Sequence, residues 1–383
     1  MTNLILCVNA DGCDKPYEFH ATGARVFSIE EASFHVWQNW RETFDDIKGK
    51  HFAAWTGDAL RMFDVAKRLR EHALASVSSA VTSFLRDAGV LTSEEIDLVM
   101  ADIIAWEKRE NWERLKERGD YFMIKKSPSR ALGFYRQALN EERSAVLLNN
   151  TAVALMNLGD FVHAKDLLAE ARELDKMNGD ITVHFAEACV HCGDFETASN
   201  LLGNARSTSK ASLVRASLFE SQEKYDQAEF YYKEAAKDNT EATSLKLVDF
   251  YIRRAIYDKA ESALERVNSL AAADERRADI LCAQGKQQEA AQLIESALRN
   301  NAGNAALWQK LAEVDLRANA YNQAFESANR ALSIEPANLS ARLLLIKARH
   351  AMSRSRDYLK ELQTLIASLK SDYRESPDET IVV

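Results

Sequence analysis

Residues whose types and spacing could do chemistry fall into two cysteine groups. In Cys189-Val190-His191-Cys192, with His184 close by, two thiols three residues apart at a helix end could share a metal or form a redox pair. A tetrahedral zinc site needs four ligands, typically from two such pairs, and a thiol redox motif is expected at a helix start that follows a strand. Cys189 instead falls where a helix packs inward, and Cys192 directly precedes the Gly193 turn. Ordinary packing is therefore the leading reading, ahead of redox sensitivity and of metal binding. The second group is Cys7 and Cys13, with His20 downstream. Its Cys-x5-Cys spacing matches no strong zinc pattern, and Asn9-Ala10-Asp11-Gly12 reads better as a turn. The chain contains no glycine-rich phosphate loop, nucleophile elbow or HExxH run, and its scattered Asp and Glu do not make a paired-carboxylate site. The expectation is no catalytic residue, no metal, no cofactor and no enzymatic activity.

The elements to be positioned must then serve a surface. Of 383 residues, 46% are hydrophobic and 28% charged, enough apolar material for a buried core and too much for a disordered chain. Only 13 glycines and 4 prolines occur, fewer than a fold of tight β-turns requires, so long helices joined by short turns are expected. A formal charge of −9 argues against a nucleic-acid surface, which needs clustered Lys and Arg. The apolar run at residues 4–8 is too short for a signal peptide or a membrane span. Five scattered cysteines are no disulfide framework. The protein is expected to be cytoplasmic, with neither membrane nor nucleic acid among its partners.

A short phrase recurs along the chain: Leu158-Gly159-Asp160-Phe161, Cys192-Gly193-Asp194-Phe195, Gln222-Glu223-Lys224-Tyr225, Arg254-Ala255-Ile256-Tyr257, Gln284-Gly285-Lys286-Gln287 and Ala318-Asn319-Ala320-Tyr321. Each is followed by an alanine (Ala164, Ala198, Ala228, Ala260, Ala290, Ala324), at successive intervals of 34, 30, 32, 30 and 34 residues. Seven residues further on stands a second small residue: Ala171, Ala205, Ala235, Val267, Ala297 or Ala331. The glycine can take the left-handed conformation that ends a helix, and the aromatic opens the next one. Small residues seven apart share a helix face and let two helices approach closely. Where the interval shrinks to 30, the linker Ser207-Thr208-Ser209-Lys210 is the expected place of shortening.

Laid out this way, the sequence resembles the tetratricopeptide repeat. Trp308, Leu311, Ala312, Tyr321, Ala324, Ala331 and Pro336 follow that family's pattern, which is departed from at Ala328, where an aromatic is usual. An earlier copy begins near Leu115, with Gly119, Phe122, Ala131, Tyr135 and Ala138 across an irregular Lys126-Ser127-Pro128 turn. The resemblance covers residues 113–336 and implies a mostly α fold, a right-handed α-solenoid of about seven helical hairpins. Capping helices at 340–353 and 356–371 are expected to close it, and the apolar-ended stretch 372–383 reads as a disordered or docking tail. The first hundred residues match no recognised family. There, 4–8 and 25–28 have strand character, 29–46, 55–74 and 75–88 read as helices, and Thr92-Ser93-Glu94-Glu95 reads as a capping sequence. Phe34, Trp37, Trp40 and Phe44 have the spacing of one helix face. The expected organisation is a small, mostly helical or α+β domain at 1–105, repeats at 106–339, capping helices at 340–371 and the tail at 372–383.

In the tetratricopeptide family the first helices line a concave groove. Mapped onto this chain, the resemblance places there Glu113, Lys116, Asp120, Asn149, Val153, Asn157, Asp180, Glu187, His191, Lys210, Glu220, Asp249, Arg253, Glu275, Asp279, Gln309, Glu313 and Arg317. Nine are acidic and four are Lys or Arg, so a basic or mixed-charge peptide is the expected partner, unless these charges merely solvate an exposed face. The Lys and Asn clamp by which some relatives hold chaperone tails is not carried over, because Asp120, Asp180 and His184 stand in its positions. The function implied is a protein–protein interaction scaffold. The alternatives are an activity in the first hundred residues that the repeats supply with substrate, or self-assembly of the repeats as a homo-oligomer.

Overall fold

The structure is a computed structural model and describes residues 15–238, 240–335, 338–353 and 359–364. It divides between Arg143 and Ser144 into two compact units. In the first, β1 (Tyr17–Glu18) and β2 (Arg25–Val26) form a short antiparallel ribbon with Tyr17 opposite Val26. Helices α1 (Ile29–Gln38), α2 (Trp40–Lys48), α3 (Lys50–Asp58), α4 (Phe63–Glu71), α5 (Val77–Ala88), α6 (Ser93–Glu107), α7 (Asn111–Ile124) and α8 (Pro128–Glu141) follow. Thr92 and Glu95 close the reciprocal capping box expected at the start of α6.

Two of the expected helices are divided. The one over 29–46 breaks at Asn39, whose backbone N–H and side-chain amide both donate to the His35 carbonyl. Phe34 and Trp37 therefore pair with each other, ring centroids 5.6 Å apart, while Trp40 and Phe44 pack on Trp106 at 5.4 and 5.5 Å. The one over 55–74 begins earlier, at Lys50, and ends where Arg61, at φ +57°, turns the chain towards α4. Tyr17, Phe19, Phe52, Trp55 and Phe84 are all buried and form a continuous ring cluster.

The hairpin α7–α8 groups with this first unit, so the compact boundary lies at 143/144 where the onset of the repeats had suggested 105/106. The reason is a set of arginines. Arg118 lies over the Phe44 and Phe134 rings and pairs with Asp45; Arg41 bridges Asp102 and Glu117; Arg114 lies over Trp106. Within the hairpin, Gly119 lets α7 approach the Tyr135 ring, which a Cβ at that position would overlap.

The second unit continues as helical hairpins: α9 (Ala145–Asn157) with α10 (Phe161–Leu174), α11 (Gly179–His191) with α12 (Phe195–Gly203), and α13 (Ser209–Ser221) with α14 (Tyr225–Ala235). After them come α15 (Glu241–Arg253) with α16 (Tyr257–Leu264), α17 (Leu270–Ala283) with α18 (Gln287–Asn300), α19 (Ala305–Arg317) with α20 (Tyr321–Ile334), and α21 (Leu339–Ser353). Ser144, Asn178, Thr208, Thr240, Ser269 and Asn304 cap the first helix of each hairpin by accepting a backbone N–H from its first turn. At the other end the chain always turns through a left-handed residue. Gly159, Gly193 and Gly285 do so at φ +83°, +76° and +78°, and Glu223, Ala255 and Asn319 adopt the same conformation at +59°, +55° and +60°. The next N–H reaches back five residues to close each turn, as from Asp160 to Leu155 and from Ile256 to Tyr251.

The six recurring alanines are fully buried, as close helix approach requires. The companions Ala205 and Val267 lie past their helices, because α12 and α16 stop at Gly203 and Leu264. The shortening at the 30-residue intervals is thus in the second helix, nine and eight residues long against fourteen in α10. The linker at 207–210 is not where it occurs. Of the expected capping pair α21 is present, and residues 359–364 are helical, with Glu361 pairing with Arg349 at 3.0 Å. The rest of that second helix, the tail at 372–383, the strand at 4–8, Cys7, Cys13 and Pro336 lie outside the described residues. No described helix is long and apolar enough to cross a membrane.

Candidate functional site

In the second unit α11 lies against α9 and α13, α17 against α15 and α19, and α19 against α21. Polar side chains on these first helices form rungs from one repeat to the next. Glu220 of α13 accepts from Arg253 of α15 at 2.8 Å (Nε) and 2.9 Å (Nη2), and from the Tyr232 hydroxyl at 2.7 Å. Burial alone would raise the Glu220 carboxyl, but these donors hold it below its usual range. Asp249 of α15 accepts from Arg276 of α17 at 2.7 Å. Asp279 of α17 accepts from the Lys310 ammonium of α19 at 3.1 Å, and Lys310 also reaches Glu313 at 2.8 Å. Gln309 donates to the same Glu313 at 3.2 Å.

A fourth rung is uncharged on its acceptor side. His184 of α11 has Nδ1 at 2.7 Å from Asn149 Oδ1 of α9 and Nε2 against the Lys210 ammonium of α13. An ammonium can only donate, so Nε2 is the acceptor and the ring proton sits on Nδ1, donated to Asn149. Burial, and then the charge of Lys210, push the imidazole down to about 4, which keeps it neutral.

The structure brings eight of the eighteen residues mapped from sequence into these rungs, namely Asn149, Lys210, Glu220, Asp249, Arg253, Asp279, Gln309 and Glu313. Glu187 adds its charge near Lys210. Asn157 is exposed and folds back on the Val153 carbonyl at 2.7 Å. Arg317 is exposed at the end of α19, touching the Cys282 thiol. In the first unit, Lys116 and Asp120 pair at 2.6 Å, and Asp120 also accepts from Tyr135 at 2.7 Å. His191 stacks on Phe161 at 4.0 Å, and Cys189 is fully buried, its thiol pushed up to about 11 by burial. Both are thus occupied in packing.

The acid excess on this face is smaller than the mapping implied, because Arg276 and Lys310 share it and the mapping left them out, as it did the neutral His184. A signal for them exists. A basic residue stands three before the acid in His184/Glu187, Lys246/Asp249, Arg276/Asp279 and Lys310/Glu313. That spacing places the base one turn before the acid, where it can meet the acid of the preceding helix.

No protein-family model matches the sequence. No curated protein matches it either. Among solved structures, the chain is similar to a tetratricopeptide repeat protein from Parabacteroides merdae at 20% identity, over 62% of this chain and 99% of that one, with a TM-score of 0.43. It is similar to yeast Tom70 at 14% identity, over 69% and 73% of the two chains, with a TM-score of 0.31. A MamA protein is similar at 19% identity, over 46% and 97%, also with a TM-score of 0.31. Within the second unit itself, the recurring left-handed turn, the buried alanines of each second helix and the neighbouring first helices give the hairpins from α9 to α20 the fold of a helical-hairpin solenoid, the architecture that the resemblance to the tetratricopeptide repeat implies.

Proposed function

We propose that the protein is a binding scaffold and not an enzyme, holding a protein or peptide segment along the first-helix face of its repeats. The observation that carries this reading is the row of Asn, Asp, Glu, Lys and Arg side chains that successive first helices contribute to one face. A linear ligand lying across several helices meets a few side chains from each, so selectivity comes from the pattern of rungs. Glu220, Asp249 and Asp279 already hold cations of the neighbouring repeat. A purely basic peptide would have to displace them, and a mixed-charge ligand is the better match. A cytoplasmic setting is part of the proposal: Cys189, Cys192 and Cys282 are free thiols, which accords with a reducing compartment.

The test is selection of displayed random peptides on the full chain, followed by affinity measurements. Enriched peptides should lose binding to Asn157→Arg and Glu187→Arg variants and keep it with Arg299→Glu, a change on a second helix. Failure to enrich any peptide class, or loss of binding confined to second-helix variants, would sink the scaffold reading.

A further inference from the structure

The rungs stop at α21. Lys310 stands 34 residues after Arg276, and 34 residues after Lys310 the chain has Leu344. The cation that α17 and α19 each offer to the preceding acid is replaced there by an apolar side chain, with Leu343 beside it. Between α19 and α21 a groove of about 590 Å³ opens, floored by Leu316, Leu343 and Leu344 and edged by Glu313, Arg317 and Lys347. Glu313 is engaged by Lys310 and Gln309. Arg317 and Lys347 are exposed. Among the described residues no carboxylate pairs with either of them.

Building on the scaffold reading, we infer that this groove anchors the ligand and takes a peptide in which apolar side chains alternate with carboxylates. The leucine floor accepts an apolar side chain and removes it from water. The two cations at its rim then meet carboxylates on the neighbouring residues, Arg317 through its planar fork and Lys347 as a point charge. A basic peptide would face two charges of its own sign, with Glu313 already satisfied. Along the middle of the face the cations Arg253, Arg276 and Lys310 are already held by Glu220, Asp249 and Asp279, so charge complementarity to an acidic partner is concentrated at this end.

The experiment uses the full chain and three fluorescein-labelled decapeptides: alternating Glu and Leu, the same with Lys for Glu, and the same with Ser for Leu. By fluorescence anisotropy at low salt, the Glu/Leu peptide is expected to bind at least tenfold more tightly than the other two. Arg317→Glu, Lys347→Glu and Leu343→Ser should each weaken it about tenfold, and Lys286→Glu at the start of α18 should not. The double variant Arg317→Glu with Lys347→Glu should gain affinity for the Lys/Leu peptide, a reversal that unfolding cannot produce. A photo-crosslinking residue in place of Leu343 identifies the occupant: capture of the Glu/Leu peptide supports the inference. Capture of residues 365–383 of the same chain, or of a second copy, overturns it, as does equal binding of the Lys/Leu peptide. If the Glu/Leu peptide crosslinks at position 157 and not at 343, the anchor is lost while the scaffold reading stands.

Discussion

The two units bury their apolar surface by different means. Between Tyr17 and Trp106 the first unit packs aromatic rings from helices far apart in sequence into one cluster, in which Phe52 alone touches Tyr17, Phe19, Trp55 and Phe84. The second unit relies on alanines. Ala164, Ala198, Ala228, Ala260, Ala290 and Ala324 are each fully buried, and its described core falls into separate clusters, each drawn from two or three successive hairpins. Ring packing ties distant segments into a single cooperative body, whereas alanine seams join only neighbours. Damage should therefore spread through the first unit and stay local in the second.

The largest expected effect tests the first half of that contrast. Phe52→Ala should cost about 4 kcal/mol by leaving a cavity among four rings. Hydrogen exchange should then rise together across α1 to α6; a rise confined to α3 would mean that the ring cluster is not one cooperative body. In the repeats, Ala198→Trp should cost about 3 kcal/mol by overpacking a seam that has no free volume. Exchange should accelerate in α11 to α13 and remain slow in α17 to α20, and uniform acceleration would break the comparison.

A smaller effect concerns a polar group inside a repeat. Asp315 on α19 is buried, accepts from Ser327 at 3.3 Å, and has its carboxyl pushed up to about 6 by burial, with the charge of Glu295 adding to it. The native state therefore holds a proton that the unfolded chain releases near pH 4, and stability falls as pH rises from about 4 to 6. Asp315→Asn should raise stability at pH 7 by about 2 kcal/mol and give no gain below pH 4. Thermal melts of both forms across that range measure the difference. The smallest effect is at a turn: Ala255, at φ +55°, carries a side chain where Gly159 and Gly193 carry none. Ala255→Gly should stabilise by about 0.5 to 1 kcal/mol, and a loss in denaturant titration would show that Ala255 is not strained.

Much of the second unit was legible in the sequence. Each hairpin is set by neighbours in the chain: a Ser, Thr or Asn cap, a left-handed turn and a buried alanine. Those features depend on backbone conformation and side-chain size at fixed offsets, so spacing alone reports them. The face was legible in part. Glu220, Asp249 and Asp279 could be placed on it, but their partners Arg253, Arg276 and Lys310 sit on the next first helix, 27 to 33 residues away, and only packing makes them neighbours.

The sequence by itself determined the number of hairpins, their turns and the side of each helix that is buried, because these follow from local periodicity and the steric freedom of single residues. Tertiary structure decided the rest. It broke the expected helix at Asn39, drew α7 and α8 onto the rings of the first unit through Arg118 and Arg114, and shortened α12 and α16 in place of their linkers. It also converted a supposedly acidic face into one largely neutralised by its own cations, leaving Arg317 and Lys347 without a paired carboxylate among the described residues, beside Leu343 and Leu344. Charge on a solenoid surface depends on which repeats touch, and side-chain reach across that contact is a property of packing that no spacing along the chain contains.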